Sequence, residues 1–157
     1  ELAAGVEVIR GPGNALYGSN ALHGTINVLL PDAGAPTQAA VEFGPHDFLR
    51  LSGQYASAGS RGTAAGLVHA DDGGFRDDSG YRQTKAYASQ SLDLATGSLK
   101  VSLAASDLDQ QTAGYIPGFD AYKDPELRTQ NLNPEAFRTV EAFRASSRWL
   151  WSSPTSG

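Results

Sequence analysis

The chain has no cysteine and no methionine among its 157 residues. Without cysteine there is no disulfide framework, thiolate zinc site, iron–sulfur cluster or cysteine nucleophile. Without methionine, even at the first position, the sequence reads as part of a longer translated product. Charge is also sparse, at 18% of residues, and its balance is −5. That balance leaves no basic footprint for nucleic acid. No apolar run approaches the roughly 18 residues that a membrane helix needs, and no charged-then-apolar leader opens the chain. What is plentiful is punctuation: 18 glycines and 8 prolines, the residues that end regular elements.

Between the breaks, apolar residues recur with a period of two. Leu99, Val101, Leu103 and Ala105 alternate with Ser98, Lys100, Ser102, Ala104 and Ser106. Leu49, Leu51, Gly53 and Tyr55 alternate with Arg50, Ser52, Gln54 and Ala56, and Phe143, Ala145, Ser147, Trp149 and Trp151 with Arg144, Ser146 and Arg148. Successive residues of a strand point to opposite faces, so each segment has one greasy and one polar side. The greasy sides are diluted with Ala, Gly and Ser, and the polar sides carry long cations. This texture fits a soluble antiparallel β domain or a membrane β-barrel, whose outer face need only suit lipid.

Turn lengths help to choose. Ala58–Gly62 and Ala95–Gly97 are short, whereas Asp71–Gly80 and Gln111–Thr139 are long. In an antiparallel meander alternate turns share one end, so the long loops gather opposite the short turns. Outer-membrane barrels have this asymmetry. Trp149 and Trp151 would suit a membrane boundary or the core of a sandwich, and their position at a strand end beside the short turn Pro154–Gly157 favours the boundary.

The first thirty residues differ. Val6–Ile9 and Thr25–Leu30 read as strands, with Asn14 capping a helical turn between them that Gly18 ends. Gly11 and Gly13 do not complete a dinucleotide fingerprint, because the third glycine position is Leu16. The ordered run Arg10, Gly11, Pro12, Leu16, Tyr17, Gly18, Gly24, Ile26, Asn27 resembles the end of the plug domain of TonB-dependent outer-membrane receptors. His23 stands where that family usually has another glycine, and Leu30–Pro31 where it commonly has Thr-Lys.

The resemblance implies a mostly β chain: a fragment of a plugged transmembrane antiparallel β-barrel. Residues 1–31 would end the plug, 32–37 link, and 38–157 supply about six barrel strands. These would be Gln38–Gly44, Phe48–Ser57, Thr63–Ala70, Tyr81–Leu94, Ser98–Asp109 and Val140–Ser152. Such a piece, with two open edges, is not expected to fold stably alone in water. The implied function is import of a scarce ligand, a ferric siderophore first and cobalamin or another nutrient second. The implied partners are the TonB energy-transducing complex, the ligand and outer-membrane lipid of a Gram-negative cell, with no cofactor. A β-rich binding module without transport and a barrel without a plug are the other readings.

Candidate chemistry is limited. His23, His46 and His69 are scattered, no serine elbow appears, and no enzyme constellation assembles. Asp71, Asp72, Asp77 and Asp78 could offer oxygens to Ca²⁺ or simply be solvated. Tyr115, Phe119 and Tyr122 concentrate aromatic surface in a loop, where rings can enclose a ligand or pack on other loops. Two capped starts, at Asp124-Pro125 and Asn133-Pro134, predict short helices. Arg50, Lys100, Arg144 and Arg148 fall on polar faces, and at least one of the last three is expected to bond a plug carboxylate or carbonyl.

Overall fold

The computed structural model describes residues 3–12 and 23–152, and these form two antiparallel sheets. The first is a hairpin of β1 (Gly5–Arg10) and β2 (Gly24–Leu29). The second is a meander of β3 (Gln38–Phe43), β4 (Leu49–Ser57), β5 (Thr63–Asp72), β6 (Tyr81–Leu94), β7 (Gly97–Gln111) and β8 (Phe137–Trp151), each pairing with the next. The sheet is open, with β3 and β8 at its edges. No helix among the described residues is long and apolar enough to cross a membrane. The turns expected at Asn14 and at Pro154–Gly157 lie outside the described residues.

The strands fall where the period-two pattern places them, with differences at the ends. β7 and β8 run further toward the long loop than expected, because Phe137, Arg138 and Thr139 pair with Gln111, Gln110 and Asp109. The long connection is thereby cut to residues 112–136. The two expected helices shrink. Asp124 does cap, accepting the amides of Glu126 and Leu127 at 2.9 and 3.1 Å, but only one 3-10 turn, Leu127–Thr129, follows. At Asn133 the chain makes a single turn, with the Ala136 amide on the Asn133 carbonyl. Neither segment has an apolar stripe to bury, and short helices are marginal without one.

Chirality sets the tight turns. Between β3 and β4, His46 and Asp47 both take left-handed conformations (φ 61 and 59), and the Phe48 amide closes on the Pro45 carbonyl. Two left-handed central residues make the turn whose twist suits a hairpin. Ala95-Thr96 turns β6 into β7, and Gly97 follows at φ 147. A β-carbon there would lie 2.1 Å from the Leu150 carbonyl oxygen.

Register assigns every side chain to a face. The buried side chains of the meander are those of Ala64, Val68, Ala70, Tyr87 and Ser89, and all five share one face. Ala64, Val68 and Tyr87 form its small core, with Ala56 and Ala104 against them. The opposite, outward face carries Val41, Phe43, Leu51, Tyr55, Leu67, Val101, Leu103, Phe143, Trp149 and Trp151, all exposed. Burial is thus inverted relative to a soluble domain: the larger apolar side chains face out.

Candidate ligand lobe and lumen wall

The outward apolar band slants. On β4 it runs from Leu49 to Tyr55, and on β8 from Phe143 to Trp151. Followed along the paired rows, Leu49 leads through Asp71, Arg82 and Asp109 to Thr139, above Phe143. Tyr55 leads through Ala65, Ala88 and Leu103 to Ala145, above Trp149 and Trp151. The band therefore slips about four to six residues, or roughly 13–20 Å, toward the short turns over about 19 Å of sheet width. That slope, about 35–45°, is the angle at which strands of an outer-membrane barrel cross lipid. Outside the band the same face turns mostly polar, with Asp107 opposite Glu141 and Arg82 bonding Asp71 at 2.9 Å, and with Phe137 as an exposed aromatic at the loop end.

The long loops meet at one end of the sheet, and Arg76 joins them. Its Nε and Nη2 donate to the Gln130 carbonyl at 2.9 and 2.7 Å, and its Nη1 donates to the carbonyls of Ala113 and Gly114. One guanidinium thus holds both ends of the 112–136 loop. The Asp77 amide donates to the Thr129 carbonyl at 2.8 Å, and Asn131 Nδ2 to the Asp78 carbonyl at 2.8 Å. Ser79 Oγ receives the Arg76 amide and donates back to its carbonyl, so the shorter loop holds its own shape. The β3–β4 turn joins too, with the Gly73 amide on the His46 carbonyl and the His46 ring edge-on to Phe75 at 5.5 Å.

These loops enclose a cavity of about 470 Å³ lined by Phe75, Arg76, Ile116, Tyr122 and Arg128 among others. Of the three aromatic residues singled out in the sequence, Tyr122 lines it. Tyr115 and Phe119 do not, and they are 85% and 99% exposed. Phe75 and Arg76 carried no signal in the sequence.

The four aspartates do not converge. Asp71 and Asp72 are strand neighbours and project to opposite faces. Asp71 is engaged by Arg82, and Asp72 Oδ1 accepts the Gly74 amide at 2.8 Å. No three His, Cys, Asp or Glu side chains group as metal ligands among the described residues. A cavity of about 680 Å³ at the loop base takes in Asp71, Asp72, Arg82, Asp109 and Glu135.

The plug-like signature gains a geometric account in part. Gly11 sits at φ 96 and its amide bonds the His23 carbonyl, closing the β1–β2 hairpin. A β-carbon on Gly24 would lie 2.7 Å from the Ile9 carbonyl oxygen. Asn27 faces Glu7 across the hairpin and donates to its carboxylate at 3.1 Å. Leu16, Tyr17 and Gly18 lie outside the described residues.

On the inner face, β6, β7 and β8 carry Lys85, Lys100, Arg138, Arg144 and Arg148 against one acid, Asp93. Lys100 is directly opposite Arg148. Among the described residues no hydrogen bond joins Lys100, Arg144 or Arg148 to the hairpin, and Glu7 is held by Asn27, so a plug partner for these cations would lie outside the described hairpin. What approaches Arg144 is apolar. Val28 and Leu30 share a cavity of about 390 Å³ with Lys85, Tyr87, Ser106 and Arg144.

An open antiparallel meander, slanted band outward and cations inward, with a hairpin beside its inner wall, is a piece of a membrane β-barrel. The chain is 36% identical over 76 residues to the vitamin B12 transporter BtuB of Vibrio vulnificus (strain CMCP6). The match covers 48% of this chain and 12% of that protein, so the chain spans a small part of the curated relative it matches. That relative is a transporter rather than an enzyme. No protein-family model matches the chain.

Proposed function

We propose that the chain belongs to an energised importer of the Gram-negative outer membrane. Residues 1–31 end its plug, 32–37 link, and 38–157 begin its barrel. The ligand binds on the loop side, between the lobe built on Arg76 and the plug, and the TonB complex then works on the plug to open the lumen. The carrying observation is the outward band. Its slope equals a barrel's strand tilt, which a water-soluble sandwich has no reason to reproduce. The signature from Arg10 to Asn27 supports a plugged barrel over an empty one.

A corrinoid and a ferric siderophore are both candidate ligands. The name of the relative favours the corrinoid, whereas the family resemblance of the Arg10–Asn27 run puts the ferric siderophore first. Tyr115, Phe119 and Tyr122 supply flat surfaces that suit either. Cells carrying the full-length receptor should accumulate one labelled ligand, cobalamin or a ferric siderophore, only when TonB is functional. Equal uptake with and without TonB would refute energised import.

A further inference from the structure

The cations of the inner wall are arranged as a descent. On β8, Arg138, Arg144 and Arg148 follow one another from the long-loop end toward the short turns, all on the inner face and all exposed. Lys85 on β6 and Lys100 on β7 share that face. The chain as a whole is acidic, at −5, so this wall is a segregated patch of opposite sign. None of Lys85, Lys100, Arg144 and Arg148 makes an ion pair with a described residue.

Hollows accompany the cations. The upper one is the 390 Å³ cavity holding Lys85, Ser106 and Arg144. Tyr87 lines it and is 5% exposed, and its hydroxyl is buried with no hydrogen-bond partner among the described residues. Burying a hydroxyl without a partner is costly. The space arises because Ala104 separates Tyr87 from Arg144 in their paired row, leaving no side chain to fill it. A lower hollow of about 260 Å³ holds Lys100, Ser102, Ser146 and Arg148. Each offers two cations and at least one hydroxyl, the donor set that carboxylate and phosphate oxygens accept. The neighbouring part of the hairpin brings Val28 and Leu30, which satisfy none of these donors.

We infer that the inner wall of β6–β8 is an anion lane: two stacked sites, Lys85–Tyr87–Arg144 and Lys100–Arg148, that bind the carboxylate or phosphate groups of a ligand descending past the plug. The inference rests on this face lining the lumen and names the ligand's chemistry. A docked plug carboxylate is the competing occupant. The opposed Lys100 and Arg148 then make sense as a pair that tolerates mutual repulsion because an anion periodically sits between them.

The test is equilibrium binding of radiolabelled inorganic phosphate to the purified full-length receptor in detergent at low ionic strength. Saturable binding is expected, weakened at least fivefold by K85Q/R144Q and by K100Q/R148Q. Tyr87→Phe, which keeps the packing, should weaken the upper site alone by twofold or more. Arg82→Gln, on the outward face, should change nothing. Retained heat-modifiable mobility on gels shows that each variant is folded. Phosphate binding that is absent, or equal in wild type and both double variants, overturns the lane. Binding that appears only after the plug is loosened by mild denaturant overturns it in favour of a docked plug carboxylate. Phosphate binding is read without TonB or uptake, so its failure is distinct from failure of the import reading.

Discussion

Replacing Arg76 by Gln removes the guanidinium that grips Ala113 and Gly114 at one end of the long loop and Gln130 at the other. Hydrogen bonds from a charged donor contribute about 1.5–3 kcal/mol each when buried. Arg76 is half-buried and the contacts to Gln130 are exposed, so a discounted total of about 2–4 kcal/mol is appropriate. That corresponds to roughly a 30- to 1,000-fold increase in the open fraction of the lobe. The reporter is the Asp77 amide, held by the Thr129 carbonyl at 2.8 Å. In the full-length receptor its hydrogen exchange should accelerate by that factor in R76Q, and trypsin should cut faster after Lys123 and Arg128. The Gly73 amide, bonded to His46 instead, should accelerate far less. Arg76→Lys should rescue little, because an ammonium cannot span three carbonyls as a planar fork does. If Asp77 exchange in R76Q stays within about threefold of wild type, well below the range above, the clamp contributes nothing net and the reasoning is refuted.

Spin labels at Leu103 and Phe143 of the intact protein should report lipid and those at Ser102 and Ser146 should not; reversal would mean a register slipped by one residue. Gly97→Ala forces a β-carbon to 2.1 Å from the Leu150 carbonyl oxygen at φ 147, so denaturant unfolding should show a loss of about 2–4 kcal/mol. Converting His46-Asp47 to Asn-Gly suits both left-handed positions of that turn and should stabilise by about 1 kcal/mol in the same assay.

The strands were legible because the pattern that makes them is local. Tyr81–Leu94 was delimited from sequence by Gly80 before it and Ala95–Gly97 after it, and β6 has those bounds. Faces followed from alternation, which placed Lys100 and Arg148 together on one side, as the register does. Lys85 lacked a signal because Ala86, Ala88 and Ser89 blur the alternation along its strand, and Arg138 because it belongs to a strand only through pairing with β7. The lobe was legible only as a concentration of aromatics. Arg76 acts on backbone carbonyls 37, 38 and 54 residues away, and a carbonyl leaves no mark in a sequence. The helix starts were misread for a related reason. Asp124 caps as its chemistry dictates, but a cap marks where a helix can begin, and packing decides whether it continues.

β7 and β8 pair without interruption from Gly97–Trp151 to Gln111–Phe137. A ribbon of 15 residues per strand is about 50 Å long, and tilted by about 40° it stands roughly 38 Å tall. The apolar zone of such a barrel is only about 25 Å high. The surplus, about 13 Å, lies on the loop side, where Asp107, Asp109 and Glu141 replace most of the greasy residues on the outward face, Phe137 excepted. The ribbon is therefore a parapet. On the proposed function it would lift the lobe clear of the headgroups, so that a ligand arriving through bulk water would meet the mouth of the barrel before the membrane.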